Sequence, residues 1–178
     1  MHHKLKKREI VHKGVVFDLI VDHIEYPSGN GSVREVAQHP GGAVVVPVFD
    51  NGDVLMIRQF RYPIGKIIYE LPAGKLDPDE EPELCARREL EEETGYRADA
   101  YEKLTAFYTT PGFCTEKLHI YLATELTKLE SGQNLEEGEE SITVERIPLQ
   151  QTLDMIEAEK IVDGKTIVGL FLAERKVR

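Results

Sequence analysis

Four glutamates stand within five consecutive positions of this chain, and these are the residues with the clearest capacity for chemistry. Glu89, Glu92 and Glu93 are spaced i, i+3 and i+4, so on a helix they project from one side. Like charges at this spacing repel one another, and the preceding Arg88 offsets only part of the repulsion. Such a concentration of carboxylates favours a hard divalent cation, since Mg²⁺ and Mn²⁺ prefer oxygen ligands. Taken alone, the run is also typical of a solvated acidic helix face.

The helix that positions these carboxylates is predicted over Pro82 to Thr94. Proline is tolerated in the first turn of a helix, and Gly95 stands where a glycine ends helices. Leu84, Ala86 and Leu90 supply a modest apolar face for packing. The glutamates are therefore expected on a side of the helix that is exposed.

Around this helix the sequence predicts an α+β fold with a sheet core. A hairpin is expected from strands at 15–26 and 33–37, because a turn rich in Gly and Asn separates them. The apolar run at 43–48 is typical of a strand buried on both faces, and residues 54–57 are interpreted as its partner strand. The remaining predicted strands lie at 67–71, 106–109, 118–124 and 142–147, and the remaining helices at 149–159 and 166–174.

Composition limits the classes of function that the chain can have. Its 178 residues, 41% hydrophobic and 30% charged, are typical of one globular domain. A formal net charge of −10 argues against a nucleic-acid-binding surface, and no apolar run is long enough to span a bilayer. Met1 to Glu9 is basic and polar with no apolar stretch behind it. A secretory leader is therefore not expected, and the predicted location is the cytoplasm. Cys85 and Cys114 match neither a zinc-site spacing nor a disulfide framework.

The spacing of residues around the glutamates forms a longer motif. Gly74 is followed after five residues by Glu80, and after seven more by the run from Arg88 to Gly95, with Tyr96 next. This pattern resembles the Nudix box, Gly-x5-Glu-x7-Arg-Glu-U-x-Glu-Glu-x-Gly-U, where U is a bulky hydrophobic residue. All seven fixed residues match, and the last position holds Tyr96 in place of the usual aliphatic residue.

Resemblance to the Nudix family implies an α/β/α sandwich with a mixed sheet. It also implies hydrolysis of a nucleoside diphosphate linked to another group, with Mg²⁺ as cofactor and Mn²⁺ as a possible substitute. The metal ligands implied are Glu89, Glu93, the backbone carbonyl of Ala73, and Glu92 as a ligand or a water-bridging partner. Arg88 would orient the glutamates, and Glu80 is expected to have a structural role near the helix start.

Residues outside the box resemble one branch of the family, the ADP-ribose pyrophosphatases. Residues 59–62 and 69–74 resemble the segment before the box in that branch, and the loop around Pro111 resembles one that marks ADP-sugar hydrolases. The substrate-binding residues implied are Arg34, Arg61, Glu70, Gly112, Phe113 and Glu116. Residues 1–38 resemble the N-terminal β-segment that builds a homodimer with shared active sites, and residues 39–178 would complete a single Nudix domain.

Several of these assignments have an ordinary structural alternative. A strand-end arginine before a phosphate site suits bidentate phosphate contact, but Arg61 is also compatible with a plain surface position. Glu70 is equally compatible with binding a sugar and with capping its strand. Glu116 fits a solvated loop residue as well as a substrate contact, and Phe113 fits the core as well as stacking on a substrate ring.

The general base is expected outside the box, because a carboxylate that binds metal is a poor base. The acidic loop at 135–141 carries four glutamates, has Gly132 and Gly138 as hinges and is anchored by the strand that follows it. In ADP-ribose pyrophosphatases a glutamate just before that strand has this role, which favours, in order, Glu140, Glu139 and Glu137. The alternative is that this loop is only a solvated acidic tip, in which case Glu92 would be the base.

The sequence therefore predicts an enzyme that hydrolyses the pyrophosphate of ADP-ribose, or of a related ADP-sugar, to AMP and ribose 5-phosphate. The box contacts only pyrophosphate and metal, so another nucleoside diphosphate sugar such as GDP-mannose is the first alternative. A catalytically silent sensor of ADP-ribose is the second. The intact set of box glutamates favours an active enzyme over the sensor, as does the absence of a basic DNA-binding surface.

Overall fold

The computed structural model describes residues 3–177, and the chain forms two compact units. Among the described residues, the first unit comprises 3–41 and 107–117, and the second comprises 42–106 and 118–177. The predicted boundary after residue 38 lies three residues before the observed one, and the segment 107–117 was not expected in the first unit. Met1, His2 and Arg178 of the predicted domain lie outside the described residues.

The first unit contains a three-stranded antiparallel sheet in the order β1-β2-β3. Its strands are β1 (Lys4–Lys13), β2 (Asp18–Glu25) and β3 (Gly31–Gln38). The predicted hairpin is confirmed as β2 and β3, although β2 begins three residues later than expected. Strand β1 was not predicted, because its residues are mostly charged and show no alternating apolar pattern; none of its side chains is buried. An ion pair of 2.7 Å between Arg8 and Asp22 links β1 to β2.

The second unit contains two sheets, ordered β7-β4-β9-β8 and β10-β5-β6. The strands are β4 (Gly42–Pro47), β5 (Asp53–Arg61), β6 (Lys66–Glu70), β7 (Ala73–Lys75), β8 (Tyr96–Tyr108), β9 (Lys117–Lys128) and β10 (Thr143–Pro148). β4 is buried along its whole length and pairs parallel with β9 and antiparallel with β7. The predicted pairing of 43–48 with 54–57 is therefore reduced to one antiparallel bridge between Val48 and Val54, since β5 pairs with β6 and β10 instead. Both runs are apolar, so periodicity shows that each is buried but not which strand it pairs with.

Helices α1 (Pro82–Thr94) and α3 (Gly164–Val177) cover opposite faces of β4. Ala43 and Val45 pack in a buried cluster with Leu90 of α1. On the other face, Gly169 of α3 lies so close to the sheet that a Cβ atom there would be 3.1 Å from Val46 Cγ2. Because alternate side chains of a strand point to opposite faces, β4 is the middle layer of an α/β/α arrangement within this unit. The predicted fold class is confirmed.

Helix α1 has the predicted bounds, and α2 (Leu149–Glu157) and α3 differ from the predictions by two or three residues at their ends. Gly95 ends α1 in the left-handed region, with φ of 71°, and its N–H donates to the Glu91 carbonyl. A residue with a Cβ would be strained in that conformation. None of the helices in the described part of the chain is long and apolar enough to cross a membrane.

Candidate active site

Arg88 lies in the middle of α1 and contacts three carboxylates. It donates hydrogen bonds to both oxygens of Glu80, each at 3.0 Å, to Glu89 at 2.6 Å and to Glu92 at 3.2 Å. These pairings raise the pKa of the guanidinium, with the hydrogen bonds to Glu80 as the largest cause. These contacts are those required of an arginine that orients the box glutamates. Glu80, just before the start of α1, helps to hold the Arg88 side chain in position.

Glu89 and Glu93 are buried, which corrects the expectation that the glutamates lie on an exposed side of the helix. Glu89 is 6% exposed and Glu93 only 1%. Burial raises the pKa of Glu89 to about 7 and that of Glu93 to about 8, and repulsion by Glu89 adds to the rise at Glu93. The helix side was misjudged because a run of glutamates reads as hydrophilic wherever it occurs.

The start of β7 forms the wall against which these two carboxylates pack. The backbone N–H of Ala73 donates to Oε2 of Glu93 at 2.9 Å. A Cβ atom on Gly74 would lie 1.9 Å from Oε1 of Glu89, so only glycine leaves room for that carboxylate. Ala73, predicted as a ligand through its carbonyl, is therefore adjacent to one of the predicted metal-binding glutamates.

The donor set fits a hard divalent cation. No group of three or more His, Cys, Asp or Glu residues within 3–177 is already arranged around a metal position. Glu93 nevertheless forms no ion pair within the described chain, and a buried carboxylate without a counter-charge is costly. A divalent cation would supply that charge, with Glu89, Glu93 and Glu92 as carboxylate donors.

In the acidic loop, the charge of Glu139 rather than that of Glu140 influences the box glutamates. Its negative charge is among the causes that raise the pKa of both Glu89 and Glu93, after the larger effect of burial. Glu139 is half-buried, and its carbonyl accepts the N–H of Ile142 at 2.8 Å in a tight turn. Glu140, the first choice from the sequence, is exposed. Burial and charge therefore favour Glu139, whereas counting back from the following strand favoured its neighbour.

Arg61 and Glu70 form an ion pair with each other. Nε and Nη2 of Arg61 donate to the two oxygens of Glu70, each at 2.5 Å, and the Glu70 side chain is fully buried. Lys165 of α3 also binds Glu70 and donates to Asp163 at 2.9 Å. Both oxygens of Glu70 are therefore already occupied by cations. Arg61 likewise uses one edge of its guanidinium on Glu70, so that edge does not bind phosphate.

The other predicted substrate-binding residues lie in the first unit: Arg34, Gly112, Phe113 and Glu116. Arg34 on β3 donates to the hydroxyl oxygen of Tyr26 at 2.7 Å. Glu116 accepts a hydrogen bond from Thr109 at 2.7 Å, and the Phe113 side chain is exposed. The structure thus brings together Arg61, Glu70 and the box glutamates within the second unit, and places these four residues in the first.

Sequence reasoning missed Lys165. Lysine in the first turn of a helix near the C-terminal end of a chain has no motif around it and is usually a surface residue. The one available signal was its position, because a cation near a helix N-terminus is opposed by the helix dipole and requires a compensating partner. That partner, Glu70, is 95 positions away and could not be identified without the fold.

Comparison with known families identifies the class of this protein. The NUDIX domain model matches residues 39–167. The chain therefore belongs to the Nudix family and is a hydrolase, as the box predicted.

The chain is similar along most of its length to relatives with assigned names. It is 45% identical over 170 residues to the ADP-ribose pyrophosphatase of Bacillus subtilis (strain 168), covering 96% of this chain and 91% of that protein. It is 36% identical over 166 residues to the GDP-mannose pyrophosphatase of Yersinia enterocolitica, covering 89% and 84%. A solved structure of an ADP compounds hydrolase superposes with a TM-score of 0.85 at 22% identity, covering 99% and 95% of the two chains, and shows the shared fold.

Proposed function

We propose that this chain hydrolyses the pyrophosphate bond of ADP-ribose, releasing AMP and ribose 5-phosphate. The observation that carries the proposal is the buried carboxylate pair, Glu89 and Glu93, in a chain 45% identical to an ADP-ribose pyrophosphatase. In the reaction a water molecule adds to one phosphorus, the bridging oxygen leaves with the other phosphate, and one proton is removed from the water.

The cofactor in this proposal is Mg²⁺, for which Mn²⁺ can substitute. Glu89, Glu93, Glu92 and the carbonyl of Ala73 would hold it. When bound, a divalent cation neutralises the pyrophosphate oxygens and makes the attacking water more acidic. Arg88 keeps Glu89 and Glu92 in place through its hydrogen bonds, so the carboxylates are oriented before the cation arrives.

The base in this proposal is Glu139, which takes the proton from the attacking water. Its charge reaches both Glu89 and Glu93, whereas Glu140 is exposed. A base on a loop that is separate from the metal ligands keeps its own lone pairs for the proton. Arg61 would contribute the guanidinium edge that does not face Glu70 to a substrate phosphate.

The first unit in this proposal mediates a homodimer and supplies the residues Arg34, Gly112, Phe113 and Glu116 to substrate binding. Support comes from apolar side chains that β1 and the β1–β2 connection leave exposed, among them Ile10, Val11 and Val15. Apolar groups on one small sheet are typical of a surface that binds another chain. Light scattering at micromolar concentration tests this, and a monomer would contradict it.

A cytoplasmic location completes the proposal. Both cysteines, the buried Cys85 and the half-buried Cys114, are free thiols, as is usual in a reducing compartment.

GDP-mannose is the alternative substrate, supported by the 36% identity to a GDP-mannose pyrophosphatase. The decisive experiment compares kcat/KM for ADP-ribose, GDP-mannose and other nucleoside diphosphate sugars, with Mg²⁺, with Mn²⁺ and with EDTA. We expect ADP-ribose to be the best substrate, chromatography to show AMP and ribose 5-phosphate in equal amounts, and EDTA to abolish turnover. A higher kcat/KM for GDP-mannose would replace the proposed substrate.

A further inference from the structure

Lys165 stands in an unusual position for a lysine. It is the second residue of α3, and its side chain is only 13% exposed. The positive end of the helix dipole opposes a cation in the first turn, and burial of an ammonium group costs further free energy. Ion pairs with the carboxylates of Glu70 and Asp163 offset both of these free-energy costs. Local rules of this kind are broken most often where function requires it.

Asp163 fixes the position of Lys165 at the start of α3. One oxygen of Asp163 accepts the ammonium of Lys165 at 2.9 Å, the N–H of Thr166 at 3.0 Å and the hydroxyl of Thr166 at 2.6 Å. This is the hydrogen bonding of a helix N-cap. The hydroxyl oxygen of Thr166 in turn accepts the N–H of Leu71, the residue after Glu70, at 2.9 Å. The start of α3 is therefore bonded to the segment that leads into the box.

The Arg61 guanidinium is held at one edge and open at the other. Nε and Nη2 donate to the fully buried Glu70, and no ion pair or hydrogen bond within residues 3–177 uses Nη1. The Arg61 side chain remains 39% exposed. The free edge has the geometry for contact with a phosphate oxygen, while the bound edge fixes its direction.

The charge on this cluster decides whether the free edge attracts an anion. Arg61, Lys165, Glu70 and Asp163 together comprise two cations and two carboxylates, so the cluster carries no net charge. Without Lys165 the cluster would carry one net negative charge, which repels an anion. Arg61 and Lys165 both interact electrostatically with Glu93, so the cluster lies within range of the box.

We infer that Lys165 is a positioning residue for substrate binding: by pairing with the buried Glu70 it offsets that carboxylate, so that the free edge of Arg61 remains attractive to a phosphate of the substrate. The inference rests on the proposed function in that the anion is a nucleotide pyrophosphate. It goes beyond that function because it assigns a role to a helix residue outside the box.

The test compares four variants with the wild type: Lys165→Met, Lys165→Arg, the double variant Lys165→Met/Glu70→Gln, and Lys176→Met as a control. Lys176 lies on the same helix and pairs with Glu102 at the exposed end. Calorimetric titrations with ADP-ribose and with inorganic pyrophosphate, both in EDTA, measure binding without turnover. Steady-state kinetics with ADP-ribose and Mg²⁺ then separate KM from kcat.

We expect Lys165→Met to weaken binding of both probes about tenfold, which corresponds to one charge-assisted contact, and to raise KM more than it lowers kcat. Lys165→Arg should restore most of the affinity. The double variant removes one cation and one carboxylate, so the cluster is again neutral. Affinity should recover in part, above that of Lys165→Met, because the amide at position 70 still offers Arg61 one acceptor oxygen. Lys176→Met should match the wild type.

Unchanged affinity in Lys165→Met, or a double variant that binds no better than Lys165→Met, would overturn the inference. So would a loss confined to kcat and thermal stability, which is what a purely structural lysine would give. If Lys165→Met does not fold, Lys165→Gln takes its place with the same expected loss of affinity, because it lacks the charge. The proposed function fails separately, if wild-type enzyme does not hydrolyse ADP-ribose, and the pyrophosphate titration still decides the role of Lys165.

Discussion

The backbone N–H of Ala73 donates a 2.9 Å hydrogen bond to Glu93, twenty positions further along the chain. The bond joins the start of β7 to the last turn of α1 and fixes a carboxylate that is 1% exposed. A backbone N–H orients a carboxylate but brings no full positive charge. Glu93 is thus held in place without a direct ion pair among the described residues, which is the state expected of a ligand that awaits a cation.

Replacing Glu93 by Gln should abolish most turnover and leave the fold intact. The amide oxygen of Gln can still accept the Ala73 N–H, but the negative charge for the cation is lost. We expect kcat to fall by about 10²-fold or more at saturating Mg²⁺. Glu91→Gln is the matched control, since Glu91 lies on the same helix and pairs with Arg97. Near-native kcat in Glu93→Gln would remove Glu93 from the metal site.

Stability of the metal-free protein should fall as the pH rises. Burial raises the pKa values of Glu89 and Glu93 to about 7 and about 8, above the ordinary value of 4.5. The folded state therefore binds these protons more tightly than the unfolded state does, so their stabilising effect is complete below pH 4.5 and disappears as the pH rises through 7 and 8. In EDTA the melting temperature should drop between pH 5.5 and pH 8.5 by on the order of 5–10 °C.

Added Mg²⁺ should reverse this trend, because a cation binds the ionised carboxylates and stabilises the folded state by mass action. The rise in melting temperature on adding Mg²⁺ should be larger at pH 8.5 than at pH 5.5. Differential scanning fluorimetry of the wild type and of Glu93→Gln measures both effects. A melting temperature of the metal-free wild type that is independent of pH would contradict the assignment of these two groups.

The sequence was sufficient for the features that local rules determine. Pro82 and Gly95 defined α1 to the residue, and the spacing of the box identified Arg88 and the glutamates. Long-range relationships were not accessible. Glu89 faces Gly74 rather than solvent because of the way α1 packs against β7. Glu70 binds Lys165 because α3 packs close to the end of β6. Periodicity describes which face of an element is apolar but not what lies opposite it.

Replacing Gly74 by Ala should impair catalysis by displacing Glu89. The added Cβ would lie 1.9 Å from Oε1 and 2.0 Å from Cδ of that side chain, so the carboxylate must move. A displacement of about 1 Å at a catalytic group can cost on the order of 10²-fold in kcat. Gly31→Ala is the control, since the nearest atom to a Cβ there is 3.9 Å away. If Gly74→Ala turned over like the wild type, Glu89 would not need its observed position.

Glu139 should prove to be the base, and Glu140 should be dispensable. Both glutamates lie in the same turn, so substitution of either by Gln perturbs the loop to a similar extent, but only Glu139 is half-buried and exerts its charge on Glu89 and Glu93. We expect Glu139→Gln to lower kcat by about 10² to 10⁴-fold with little change in KM, as loss of a general base does.

Glu140→Gln, the matched control, should keep kcat within about threefold of the wild type, since an exposed side chain without contact to the site contributes little. Mg²⁺ affinity, measured by calorimetry, should be unchanged in both variants because neither residue is a proposed ligand. Loss of activity in Glu140→Gln alone would restore the choice made from the sequence, and full activity in both would move the base to Glu92.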